Sequence, residues 1–122
     1  MEWGEAIEKL GEITKERRKE MQYSVLPRCI AIDFDDTFTA DPELWSRFIQ
    51  HGKSRGHKFY CVTSRGESVE NVDIINEWFD IWECQMPIVF ANRASKVDTM
   101  ECLGIKVDIW IDDAPYALVR GY

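Results

Sequence analysis

Four short apolar runs constrain this chain more than any other feature. They are Cys29-Ile30-Ala31-Ile32, Phe59-Tyr60-Cys61-Val62, Ile88-Val89-Phe90-Ala91 and Val107-Asp108-Ile109-Trp110-Ile111, and each empties into polar residues. Apolar runs of this length, bounded by polar residues, read as buried strands. Segments with helical signals separate them. Asp41-Pro42-Glu43 is a helix start, with an N-cap acid, proline at the first helical position and an acid in the first turn. Leu44, Trp45, Phe48 and Ile49 supply its apolar face, and Gly52 and Gly56 weaken and end it. A second helix is expected from Glu67 or Ser68, carrying Val69, Val72, Ile75 and Trp78 or Phe79. In a third, Ser95 is the N-cap, Asp98 the capping-box acid, Lys96 a first-turn residue and Gly104 the C′ residue. Strands alternating with helices imply an α/β fold, a three-layer Rossmann-like parallel sheet of about four strands.

In such sheets the ligand site lies outside the carboxyl ends of the strands. Here those ends deliver Asp33, Asp35, Asp36 and Thr37, then Thr63, Ser64 and Arg65, then Asn92 to Lys96, then Asp112 and Asp113. An acidic turn accounts for the first group taken alone. Four polar strand ends converging on one edge are better explained by a site. The acids repel one another, and a bound divalent cation offsets such a cluster. Alternation along an extended strand end places Asp33 and Asp35 on one side, with Phe34 between them. Asp33 is then a candidate nucleophile and Asp35 a candidate general acid/base. Asp112 and Asp33 are candidate Mg²⁺ ligands, since that ion prefers carboxylate oxygens. Thr63 is a candidate donor to a phosphoryl oxygen. Lys96 sits where the positive end of a helix dipole disfavours an ammonium by a few tenths to about 1 kcal/mol. A surface lysine with its stem folded away explains it in isolation; beside an acid cluster, charge balance explains it better.

Residues 1–26 read as an amphipathic helix and linker, and 27–122 as the catalytic domain. Trp3, Ile7 and Leu10 recur at helical spacing between Glu2 and Tyr23, and Lys15, Arg17, Arg18 and Lys19 alternate with acids as a solvated, ion-paired face. Pro27 stops that helix. The net charge of −7 argues against general nucleic-acid or anionic-membrane binding, because both rest on neutralising phosphates. No run approaches membrane-spanning length, and the acidic N-terminus lacks the apolar core of a signal peptide. Cys29, Cys61, Cys84 and Cys102 form no CxxC pair and read as free thiols of a reducing compartment. A cytoplasmic location is the expectation. His51 and His57 are expected on a helix surface and its exit, and the five tryptophans in the core or an interface.

The ordered set Asp33-Phe34-Asp35-Asp36-Thr37, Thr63, Lys96 and Asp112-Asp113 resembles the four motifs of the haloacid dehalogenase-like phosphohydrolases. The resemblance spans about residues 28–115. It implies that Asp33 forms an aspartyl-phosphate and that Asp35 protonates the leaving group and then activates water. It further implies that Thr63 and Lys96 bind the phosphoryl group. Mg²⁺ would be held by Asp33, the backbone carbonyl of Asp35 and Asp112, with Asp113 near the metal or Lys96. A response-regulator receiver is a close competitor, but it carries its phosphorylated aspartate after the third strand. Here that strand ends in Asn92, and Asp112-Asp113 has no receiver counterpart.

The gaps from Asp33 to Thr63 and from Thr63 to Lys96 leave no room for a cap domain, so a small capless member with an open site is expected. Capless members of the family often act on macromolecular phosphoesters or are closed by oligomerisation, so a homo-oligomer covering the site is a further expectation. Arg65, after Thr63-Ser64, is a candidate substrate-phosphate contact or simply a polar-loop arginine. Asp36 departs from the pattern, standing where many members have glycine. The sequence also runs only to Tyr122 after Asp113, so the closing strand and helix of fuller members are expected to be shortened or absent, with the N-terminal helix covering that surface. The expected function is Mg²⁺-dependent phosphomonoester hydrolysis, on a phosphorylated small molecule or the phosphoester end of a macromolecule, nucleotides and nucleic-acid ends included. The alternative is a non-catalytic phosphate- or protein-binding domain on the same scaffold.

Overall fold

A computed structural model describes residues 25–122. The expected N-terminal helix and most of the 1–26 segment lie outside the described residues. Among the described residues four strands alternate with four α-helices: β1 (Cys29–Ile32), α1 (Pro42–Ser54), β2 (Lys58–Thr63), α2 (Val69–Ile81), β3 (Ile88–Phe90), α3 (Lys96–Cys102), β4 (Ile109–Ile111) and α4 (Tyr116–Val119). The strands form one sheet in the order β3-β2-β1-β4, and every pairing is parallel. The fold is therefore α/β, with helices flanking a parallel sheet. The connection from β1 to β2 contains α1, and that from β2 to β3 contains α2.

Strand alternation divides the core in two. Ile30, Ile32, Phe59 and Cys61 face Ile49 of α1 and Ile75 and Phe79 of α2. Ala31 and Val62 face the opposite way, towards Met100 of α3 and Trp110. Burying both faces makes the strands read as continuous apolar runs rather than alternating ones. The strand order reverses between β1 and β4, which makes their shared carboxyl end the switch point where parallel sheets open a crevice.

Local chemistry sets the element ends. The Asp41 side chain accepts from Leu44 N–H at 3.1 Å, the Ser68 hydroxyl from Asn71 N–H at 3.0 Å and the Ser95 hydroxyl from Asp98 N–H at 3.2 Å. Each supplies a helix N-terminus with an acceptor it otherwise lacks. Gly104 follows α3 at φ +73, the left-handed conformation of a C′ glycine.

Two expectations need correction. The last strand is Ile109–Ile111 rather than Val107–Ile111, because the Asp108 carboxylate accepts from Cys29 N–H at 2.9 Å and its own N–H donates to Cys29 O, closing the ladder before the strand begins. Val69 is 80% exposed at the first position of α2 and is not part of the buried face, which starts nearly two turns later at Ile75. The histidines and the four described tryptophans lie where expected, and Trp3 lies outside the described residues. His51 is exposed on α1, His57 follows the helix and accepts from Arg28 N–H, and Trp45, Trp78 and Trp82 pack on the first cluster. Cys61 and Cys84 are buried, Cys29 is half-buried and Cys102 is exposed, all as free thiols.

Candidate functional site

The chain leaves β1 through Asp33, whose N–H donates to Ile111 O at 2.9 Å and so extends the β1–β4 pairing by one rung. It then turns sharply over Phe34–Phe38. Phe34 is buried against Trp78 and Phe79. With that ring driven into the core, Asp33 and Asp35 on either side of it both line one cavity of about 500 Å³. Asp36 makes the turn possible. Its φ of 62 is left-handed, and aspartate is one of the few residues besides glycine that adopts this conformation readily. The departure noted in the sequence therefore has a backbone explanation.

Asp33 is the centre of the site and is 7% exposed. Lys96, 1% exposed at the first turn of α3, donates to Asp33 Oδ1 at 2.7 Å and to Asp112 Oδ2 at 2.6 Å. The strand ends of β1 and β4 are thus joined by one buried ammonium. Asp33 Oδ2 and Asp113 Oδ1 each lie 3.1 Å from the Thr37 hydroxyl, which also accepts from Asp113 N–H. One hydroxyl proton serves only one of those two carboxylates. Burial pushes the Asp33 carboxyl up from 3.8 to about 6, despite the opposing hydrogen bond and charge of Lys96. Burial also works to lower the Lys96 ammonium, but its hydrogen bonds to Asp112 and Asp33 outweigh that and hold it above the ordinary lysine value.

Asp33, Asp112 and Asp113 each offer a carboxylate oxygen, all within 4.8 Å of one another. An all-carboxylate donor set suits a hard divalent cation such as Mg²⁺. Three carboxylates against one ammonium leave negative charge that such an ion offsets. Asp35 offers no carboxylate to that group. Arg65 holds it in a two-pronged pair, Nε to Oδ2 and Nη2 to Oδ1 at 2.8 Å each, while Arg65 Nη1 donates to Asn71 Oδ1 at 3.0 Å. The guanidinium also lies 5.4 Å from the Phe34 ring centre. The Asp35 hydrogen bonds hold Arg65 above the ordinary arginine value.

The other residues singled out in the sequence divide into two groups. Ser64 and Arg65 line the cavity with Asp33, Asp35 and Asp113. The Ser64 hydroxyl is buried and has no hydrogen-bond partner among the described residues. Thr63 is fully buried, and its hydroxyl accepts from Arg65 N–H at 3.2 Å, bracing the loop rather than lining the cavity. Trp45 borders a smaller hollow beside Asp36, Thr37 and Asp112.

Arg93, placed at the β3 strand end by the sequence but given no role there, and Tyr122, which sequence reasoning missed, complete the cavity wall. Asn92 and Arg93 are consecutive left-handed residues, φ 50 and 65. Hydrogen bonds from Asn92 N to Arg65 O and from Arg93 N to Ser64 O tie their loop to the β2 strand end. Tyr122 N–H donates to Arg93 O at 2.7 Å. The Tyr116 hydroxyl, then burial and the charges of Asp112 and Asp113, push the Tyr122 phenol up to about 12. Strand-end position marks Arg93, whereas nothing local marks Tyr122, which reaches the site only through loop packing.

Comparisons with protein-family models, with curated proteins and with solved structures find no match. Among the described residues no helix is long and apolar enough to cross a membrane.

Proposed function

We propose that this chain is a Mg²⁺-dependent phosphatase of the haloacid dehalogenase-like type, hydrolysing a phosphomonoester through an aspartyl-phosphate. The observation that carries the reading is Asp33, a buried carboxylate fixed by Lys96 and Thr37 at the switch point of a parallel sheet, with Asp35 across the same cavity. Asp33, Asp112 and Asp113 would hold the cation, which would draw charge from the phosphoryl oxygens and shield them from the acids.

The chain's own residues have defined tasks. An Asp33 oxygen attacks phosphorus, the bond from phosphorus to the leaving oxygen breaks, and Asp35 gives that oxygen its proton. Asp35, now a carboxylate, takes a proton from the water that attacks the aspartyl-phosphate. Inorganic phosphate leaves and Asp33 is restored. Lys96 balances charge on Asp33 and the phosphoryl group. Asp35 performs either proton transfer only after Arg65 releases it, and a bound phosphate offers Arg65 a replacement acceptor. The substrate is a phosphorylated small molecule or the phosphoester end of a macromolecule, and a second copy of the chain covering the open cavity is part of the same proposal.

The closed Asp35–Arg65 pair favours one second reading, a phosphate- or protein-binding domain without turnover. A single set of measurements separates the two. Hydrolysis of an aryl phosphate and a nucleotide panel is followed with Mg²⁺ and with EDTA, for the parent, Asp33→Asn and Asp35→Asn. The phosphatase reading expects Mg²⁺-dependent turnover that Asp33→Asn abolishes, and a phosphoryl mass gain that accumulates on Asp35→Asn. Phosphate binding by calorimetry without any turnover establishes the second reading instead.

A further inference from the structure

Arg93 and Tyr122 have no task in the chemistry described above, yet the fold invests in placing them. Arg93, a long side chain held in the left-handed region directly after Asn92, is strained, and such strain concentrates at functional sites. Gly121 is required where it stands. At φ +74, a Cβ there would lie 2.2 Å from Arg93 O and 2.9 Å from Ser95 N. This close approach lets Tyr122 N–H reach Arg93 O, while the Ser95 hydroxyl donates to Leu118 O at 2.8 Å. Residues 118–122 are therefore pinned to the loop that precedes Lys96.

The outcome is an aromatic ring and a guanidinium on the wall of a cavity whose floor is the acid cluster. Tyr122 is 62% exposed and packs edge-on against Tyr116, 5.7 Å between ring centres, so one face of the pair is buttressed while most of the side chain stays open. The Arg93 side chain has no hydrogen bond or ion pair among the described residues. Tyrosine rings and arginine planes are the two side-chain surfaces on which nucleobases stack. A simple sugar phosphate can offer Arg93 its phosphate but gives neither plane a base to stack on.

We infer that Arg93 and Tyr122 form a base-stacking wall that selects a nucleoside monophosphate as the substrate, its phosphate on Asp33 and its base against Tyr122 and Arg93. This rests on the phosphatase reading of the same site and names its substrate class. The wall acts on the leaving group, so it discriminates among substrates without touching the phosphoryl centre.

The test compares adenosine monophosphate with ribose phosphate, by kcat/KM with Mg²⁺ and by calorimetric binding to Asp33→Asn. The parent should prefer the nucleotide by on the order of 10-fold in both measurements, as stacking on a single side chain supports. Tyr122→Ala should reduce that ratio towards one by raising KM for the nucleotide, and Tyr122→Phe, which keeps the ring, should retain it. Equal handling of the two ligands by the parent overturns the inference, as does a loss of preference in Tyr122→Phe equal to that in Tyr122→Ala. If no ligand is turned over, the phosphatase reading fails while the binding ratio still decides the wall: selective nucleotide binding lost in Tyr122→Ala upholds it, and unselective or absent binding overturns it.

Discussion

Lys96→Met removes a charge and its donors while keeping the length of the side chain, so its effect reports on the buried electrostatics of the site. Lys96 reaches Asp33 Oδ1 at 2.7 Å and Asp112 Oδ2 at 2.6 Å, and all three side chains are almost entirely buried. Without the ammonium, two buried carboxylates face each other uncompensated. Removing one partner of a buried pair typically costs about 3–5 kcal/mol. At roughly 4 °C per kcal/mol for a domain of this size, the melting temperature should fall by about 12–20 °C in EDTA. The effect should also depend on pH in a defined direction. Burial already raises the Asp33 carboxyl from 3.8 to about 6, with Lys96 pulling it back down. A carboxyl raised in this way binds its proton more tightly in the folded state. Its contribution to stability is complete below 3.8 and is lost as pH rises through about 6, on the order of 3 kcal/mol in all. Losing Lys96 raises the group further and widens that window. Thermal melts of parent and variant should therefore differ more at about pH 8 than at about pH 5. A difference below about 1 kcal/mol, or one that grows on acidification, would refute the reasoning.

Mg²⁺ should raise the melting temperature of the parent at about pH 8 and progressively less below about pH 6, because protons compete for Asp33; Asp112→Asn should abolish the shift, as calorimetric titration can verify. Arg65→Ala should change stability by less than about 1 kcal/mol, since its pair with Asp35 is partly exposed, yet raise KM for phosphomonoesters; an unchanged KM would separate Arg65 from substrate. Gly52→Ala should destabilise by about 1–3 kcal/mol in denaturant melts, because its Cβ would fall 2.4 Å from the buried Phe59 ring. Gly121→Ala should cut the preference for the nucleotide in the kinetic comparison as Tyr122→Ala does, since its Cβ would collide with Arg93 O and displace the wall.

Much of this molecule is legible along the chain. Short apolar runs that alternate with helical segments fit strands buried on both faces of a parallel sheet, so Cys29–Ile32 and Lys58–Thr63 declare the architecture. Asp41, Ser68 and Ser95 declare their helix starts because an N-cap acts on amides two or three residues away. The polar residues at the strand ends declare the edge on which a site would stand, since strand direction alone places them there. Which atoms pair across the fold leaves no such trace, although the acid cluster already made Lys96 a candidate for charge balance. Lys96 bridges Asp33 and Asp112, Arg65 closes on Asp35, and Arg93 and Tyr122 reach the cavity, all through the order in which strands and loops pack. The acid cluster Asp33-Phe34-Asp35-Asp36 shows the division within a single turn. Sequence determines that carboxylates gather at the end of β1. Tertiary structure decides that Asp33 is buried against a lysine, that Asp35 is clasped by an arginine, and that Asp36 faces solvent from a left-handed turn. The physical reason is range: propensity and capping act over a few residues, whereas burial and charge pairing depend on which distant segments the fold brings within a few ångströms.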